Sequence, residues 1–218
     1  MSINKRNYIV ILLVMLAVFL PICVFSAKLT DKADGKKSLV EKNGPIVFFG
    51  DSITWGFPLN KHFVGANLLN KGVSGNTTAD ALKRIREVTD SKPHKVFIML
   101  GTNDLWTNTD MYTTMKNYEE IITTIRSACP YADIVIQSVM PFGAKATDTN
   151  PYATIIAVDN LNARLQTLAK RYGLIYVDVG KLYKDSGGKL RPEYSGDGVH
   201  ICCSSYSLWA NYIRKLVR

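Results

Sequence analysis

The 218-residue chain is poor in the residues that build metal sites and disulfide frameworks, with four cysteines and three histidines. Cys23, Cys129 and the adjacent Cys202 and Cys203 form no C-x-x-C pair, so the spacing of a structural zinc site is missing. Small buried apolar residues are the expectation for these thiols. No G-x-G-x-x-G or Walker-type loop follows the first apolar strand, which argues against a nucleotide-binding protein. Basic runs interleaved with aromatics are also missing, despite a net charge of +9. Seven Lys/Arg against three Asp/Glu fall within residues 1–44, and the remaining excess is spread thinly, so no nucleic-acid groove is expected. Internal repeats and low-complexity segments do not occur. Charged residues make up 21% and apolar ones 47%, the balance of a globular chain long enough for one domain.

What the sequence does have begins at the N-terminus. Lys5 and Arg6 precede an uncharged apolar stretch from Tyr8 to Phe25, and basic residues resume at Lys28. Residues 1–26 therefore read as a signal peptide or an N-terminal membrane anchor. Residues 27–44, polar and Lys-rich, read as a tether. With the basic flank held inside, the main body, residues 45–218, is expected outside the cytoplasm, meeting the membrane only through the N-terminal segment.

From Pro45 onward, apolar runs of strand length alternate with helical patterns. The expected strands are Ile46–Gly50, Ala66–Asn70, Lys95–Leu100, Ile134–Met140 and Leu174–Val179. Expected helices are Thr78–Thr89, Met111–Ala128, Ala153–Tyr172 and Ser205–Leu216, the third with Ile155, Ile156, Leu161, Leu165, Leu168 and Ala169 at helical spacing. Near-continuous apolar strands alternating with helices predict a three-layer α/β/α sandwich around a mostly parallel five-stranded sheet. Ligands bind open sheets of this kind at the carboxyl ends of the strands. Three polar, glycine-containing loops fall there: "GDSITWG" at 50–56, "NKGVSGNTT" at 70–78 and "GTNDLW" at 101–106.

Nucleophilic hydrolysis needs a hydroxyl, a base beside it, a group orienting the base, and donors for an oxyanion. Ser52 supplies the hydroxyl. His200 closes "DGVH", with Asp197 three residues earlier, and in a tight turn such a carboxylate reaches one ring nitrogen while the other serves as base. Gly198 lets that turn close. His62 and His94 have no such partner, and His94 follows Pro93 in what reads as a surface loop. The Ser52 and Gly75 backbone N–H groups and the Asn103 amide are candidate oxyanion donors. Taken singly, Ser52 reads as a helix cap, Asp51 as a turn former, and Gly75 and Asn103 as turn residues. Ser74 is not a rival nucleophile, because Asn76 breaks a G-x-S-x-G elbow, and it reads instead as support for the Gly75 loop. Asp104 and Thr102 read as loop supports, and Trp55 as a pocket wall or core.

Taken together, "GDSIT", "SGNT", "GTND" and "DGVH" resemble, in order and spacing, the four blocks of the SGNH hydrolases of the GDSL esterase/lipase superfamily. The resemblance runs from Pro45 to the C-terminus, with Ile53 where the family name has Leu. It implies a flavodoxin-like fold and a Ser52–His200–Asp197 triad. It also implies an oxyanion hole of the Ser52 N–H, the Gly75 N–H and the Asn103 side chain, with neither metal nor cofactor. "PFGAKATDTNPYA", residues 141–153, is polar and offers no long apolar lid, which favours a short acyl group such as acetate on a carbohydrate. Expected partners are thus small-molecule, glycan or lipid esters and no nucleic acid. A lipase or lysophospholipase, an O-acyltransferase and a non-catalytic glycan-binding module are the alternatives on this scaffold.

Overall fold

The computed structural model describes residues 44–217, so the expected leader and nearly all of the tether lie outside the described residues. Five parallel strands form one sheet: β1 (Ile46–Gly50), β2 (Leu68–Gly72), β3 (Lys95–Met99), β4 (Asp133–Gln137) and β5 (Ile175–Val177). Their order is β2-β1-β3-β4-β5, the flavodoxin-like arrangement. Every pairing is parallel, with Ile46 opposite both Leu68 and Lys95 and Val96 opposite Ile134.

Side-chain alternation along the strands builds two cores. Val47, Phe49, Val96, Ile98, Ile134 and Ile136 face one side. There they meet α3 (Thr78–Lys83), α6 (Met111–Ala128) and α8 (Ile155–Tyr172), through residues such as Ala81, Ile121, Ile125, Leu161 and Leu165. Ile46, Phe48, Phe97, Met99 and Val135 face the other side. Their partners lie on α1 (Ser52–Trp55), α2 (Leu59–His62) and the closing helix α9 (Tyr206–Ile213), including Ile53, Leu59, Trp209 and Ile213. Three short helices complete the set: α4 (Arg86–Thr89), α5 (Thr102–Trp106) and α7 (Ala144–Thr149). The three-layer α/β/α sandwich is the one the strand–helix alternation predicts. No described helix is long and apolar enough to cross a membrane.

Local departures from the expected boundaries have identifiable causes. The helix expected over Thr78–Thr89 breaks at Arg84, whose backbone (φ −110, ψ 18) caps α3. β4 ends at Gln137 rather than Met140 because a side chain replaces the neighbouring strand. The Asn162 amide oxygen accepts from the Val139 N–H at 2.9 Å, and its NH₂ donates to the Val139 carbonyl at 3.2 Å. The last strand starts at Ile175 because the Leu174 N–H bonds back to the Ala169 carbonyl (2.8 Å) over the left-handed Gly173 that closes α8. Within α8, Ile156 is 81% exposed and Val158 takes the core position instead, since 158, 161, 165 and 168 share one helical face.

Candidate active site

Ser52 is the first residue of α1, placed where β1 leaves the sheet. Asp51 caps that helix, its Oδ1 accepting the Ile53 N–H at 2.9 Å. Asp51 is itself buried, and burial pushes its carboxyl up to about 6. The Tyr206 hydroxyl of α9 donates to the Ile53 carbonyl at 2.7 Å, tying the closing helix to the serine helix.

The Ser52 Oγ lies 2.8 Å from His200 Nε2, and His200 Nδ1 lies 2.7 Å from Asp197 Oδ2. The other carboxylate oxygen, Oδ1, accepts the N–H groups of Val199 and His200, both at 2.8 Å, and the Ser195 hydroxyl at 3.2 Å. Burial works to raise the Asp197 carboxyl, but the His200 ring and the two N–H groups outweigh it and hold the acid well below the usual carboxylate range. An ionised Asp197 keeps the ring proton on Nδ1, so Nε2 accepts from the Ser52 hydroxyl. Gly198 makes the turn possible: its φ is +83, and a Cβ there would stand 2.9 Å from the Ala146 backbone nitrogen.

The oxyanion candidates gather on the adjacent loops. Gly75 has φ +77 and is exposed. Among the described residues neither its N–H nor that of Ser52 has a protein acceptor. One Asn103 amide N–H donates to the Asn76 carbonyl at 2.9 Å, which leaves the second available to a ligand. Buried Asp104 bolts the same two loops together by accepting the Thr78 N–H (2.9 Å) and the Thr78 hydroxyl (2.5 Å). Its supporting role is the one expected, and Thr102 is buried beside it.

Other supports had no signal in the sequence. Arg84 donates to the Gly50 carbonyl (2.9 Å), the Lys71 carbonyl (3.0 Å) and the Asn76 side-chain oxygen (2.5 Å), while stacking over Phe49. One guanidinium thus joins the ends of β1 and β2 to the Gly75 loop. That loop is held by Arg84 and Asn103; Ser74 is exposed and makes no side-chain hydrogen bond among the described residues. Segment 141–153, expected to be a polar loop without an apolar lid, is a buttress. The Gly143 N–H donates to the Gly198 carbonyl and Lys145 Nζ to the Gly196 carbonyl, each at 2.7 Å. Trp55 is 67% exposed, so it is not core. His62 ends α2 beside Phe57, and His94 is half-buried at the opposite end of the sheet, its Nδ1 2.5 Å from the Gly44 carbonyl. Cys129 is buried as expected, but Cys202 is only half-buried. Its thiol is drawn down by hydrogen bonds with the Ser204 and Ser205 hydroxyls.

A serine, a histidine and a carboxylate in one hydrogen-bonded chain, at the strand-end rim of an α/β sheet, have the chemistry of nucleophilic acyl transfer. The sequence model of the GDSL-like lipase/acylhydrolase family matches residues 48–201, and the chain belongs to that family. It is similar to an acetylxylan esterase of Geobacillus stearothermophilus, 25% identical over 162 residues that cover 70% of this chain and 73% of that protein. A shorter stretch of 76 residues is 38% identical to an uncharacterized lipoprotein of Bacillus subtilis, covering 27% of this chain and 31% of the other. Among solved structures, a GDSL-like lipase of Bacteroides thetaiotaomicron superposes with a TM-score of 0.71 at 25% identity, covering 81% of this chain and 88% of that one.

Proposed function

We propose that this protein is an extracytoplasmic serine esterase that removes short acyl groups, acetate above all, from carbohydrates at the cell envelope. The observation that carries the reading is the unbroken chain from Ser52 Oγ through His200 to Asp197. His200 Nε2 takes the Ser52 proton as Oγ attacks the ester carbonyl. The carbonyl oxygen becomes an oxyanion held by the N–H groups of Ser52 and Gly75 and the Asn103 amide. Collapse breaks the ester C–O bond, and His200 returns the proton to the departing sugar oxygen, leaving acyl-Ser52. Water then attacks with the same base, the acid departs, and Ser52 is restored. Asp197 keeps the ring tautomer correct and stabilises the imidazolium in both steps.

The shape of the site supports a short acyl group. Asp197 and His200 are about half-exposed, and segment 141–153 is bonded to the histidine turn through Gly143 and Lys145. An open rim suits a small acyl group on a bulky alcohol better than a long chain needing burial. The acetylxylan esterase relative supports the carbohydrate ester. The lipoprotein relative and the apolar stretch Tyr8–Phe25 support a place outside the cytoplasm, secreted or anchored by that segment.

The test is hydrolysis of p-nitrophenyl esters from acetate to decanoate, and of acetylated xylo-oligosaccharides, by the full chain and its Ser52→Ala variant. Turnover that depends on Ser52 and falls as the acyl chain lengthens is the expected result. A preference for decanoate would move the reading to a membrane acylhydrolase. Activity indifferent to Ser52→Ala would remove it.

A further inference from the structure

The chain has three tryptophans, and they are placed differently. Trp209 is fully buried, its indole N–H donating to Gln137 at 2.8 Å. Trp106 is half-buried, with its ring 6.0 Å from that of Phe142. Trp55 is 67% exposed. It stands three residues after Ser52 on α1, so both project from the same side of that helix, roughly 5–6 Å apart at Cβ.

The exposed ring rises from a backbone that is tightly fixed. The Trp55 N–H donates to the Asp51 carbonyl at 2.9 Å. The Asn70 amide donates to the carbonyls of Thr54 (2.8 Å), Trp55 (3.3 Å) and Phe57 (3.1 Å). Gly72 packs so closely that a Cβ there would fall 2.1 Å from the Trp55 nitrogen. Asn70 also lines a cleft of about 240 Å³, whose apolar wall is Phe57, Pro58, Leu59 and Leu68 and whose polar side is Asn60 and Lys61. Asn70, which bonds the Trp55 carbonyl, therefore links the cleft to the Trp55 backbone.

A large apolar ring held in water beside a nucleophile has no packing role. Its π face carries negative potential and attracts the weakly positive C–H face of a pyranose, while Asn60 and Lys61 in the cleft suit ring hydroxyls. An acyl chain would instead require a continuous apolar enclosure, which Asn60 and Lys61 interrupt. We propose that Trp55 and the adjoining cleft form a subsite for the sugar ring next to the one bearing the ester, so that the enzyme prefers esters on oligosaccharides. The inference rests on the esterase reading given above.

The experiment compares the full chain with Trp55→Ala and Trp55→Phe on acetylated xylo-oligosaccharides, p-nitrophenyl acetate and p-nitrophenyl decanoate, with melting curves to verify folding. A nucleic-acid base stacked on an aromatic side chain gains about tenfold or more in affinity, and the same scale is taken for a sugar face on the indole. Trp55→Ala is therefore expected to lower the ratio of kcat/KM on the oligosaccharide to that on p-nitrophenyl acetate about tenfold, chiefly through KM. Trp55→Phe should recover most of it. Equal losses on both substrates, or none on either, would overturn the proposal. A loss confined to decanoate would overturn it in favour of a lipid contact. A second arm needs no turnover: calorimetric titration of the oligosaccharide into Ser52→Ala, with and without Trp55→Ala, should show Kd rising about tenfold when the indole is removed. Should Ser52→Ala leave hydrolysis intact, the esterase reading fails, while the titration still decides the subsite.

Discussion

Ser52, Gly75 and Asn103 stand on loops leaving β1, β2 and β3, three neighbours in the sheet, whereas Asp197 and His200 stand on a turn beyond the last strand. The first group is held from beneath by buried or half-buried polar side chains. Arg84 binds two strand-end carbonyls and the Asn76 side chain, Asp104 binds Thr78, and Asp51 caps the serine helix. The second group is exposed and largely holds itself: Asp197 receives four hydrogen bonds, all from within residues 195–200, and α7 leans on the turn through Gly143 and Lys145. The nucleophile side is thus fixed by long-range sheet order, and the base side by local turn chemistry. Variants should separate the two, with stability lost on one side and activity without stability lost on the other.

The largest effect is expected from Asp197→Asn. It removes the charge that fixes the His200 tautomer, and kcat for p-nitrophenyl acetate should fall about 10³–10⁴-fold while the melting temperature moves little. Asn103→Ala should cost about 2.7–4 kcal/mol of transition-state stabilisation, read as a loss in kcat rather than a rise in KM. Arg84→Met tests the support beneath the nucleophile. It removes the charged donor shared by the Gly50 and Lys71 carbonyls and the Asn76 side chain, and urea unfolding should show a loss of about 3 kcal/mol. Arg84→Lys should restore only part of that, since an ammonium cannot match the planar fork. If Arg84→Met unfolds no more easily than the parent, the contrast between the two sides is wrong.

Asp51 gives the comparison a pH axis. Its folded carboxyl is raised to about 6 by burial, from an ordinary value of 3.8. The stability associated with its neutral form is fully present below pH 3.8 and is lost as pH rises through 6. Asp51→Asn keeps the acceptor for the Ile53 N–H without the charge. Denaturation midpoints for variant and parent should coincide near pH 4 and separate by up to about 2–3 kcal/mol in favour of the variant at pH 8. Smallest of all, Ser195→Ala on the exposed turn should cost about 1 kcal/mol or less.

Much of this arrangement was legible in the sequence because it depends on local pattern. Ile46–Gly50 and Met111–Ala128 fold over the residues expected, one an unbroken apolar run and the other an amphipathic stretch capped by Asp110. The four motif blocks named Ser52, Gly75, Asn103, Asp197 and His200, and sheet order brings the first three loops side by side. Features that depend on distant partners were not legible. The helix break at Arg84 accompanies hydrogen bonds to strands far away in the chain, and β4 ends where Asn162 intrudes. Neither residue stands out by type or spacing. Ile156 stands with Ile155 and Leu161 at helical spacing, yet it points to water because Val158 sets the phase of the helix. The buttress at 141–153 was invisible because its purpose lies in backbone contacts to Gly196 and Gly198.

The proposed mechanism requires Ser52 to carry the acyl group in a covalent intermediate. The direct test is acid-quenching the enzyme during turnover of p-nitrophenyl acetate and mapping acetylation by peptide mass spectrometry. One acetyl group on the peptide holding Ser52, lost in Ser52→Ala and in His200→Ala, is the predicted result. Acetyl found instead on Ser74 or Cys202, or Ser52-independent turnover with no trapped acetyl, would contradict it.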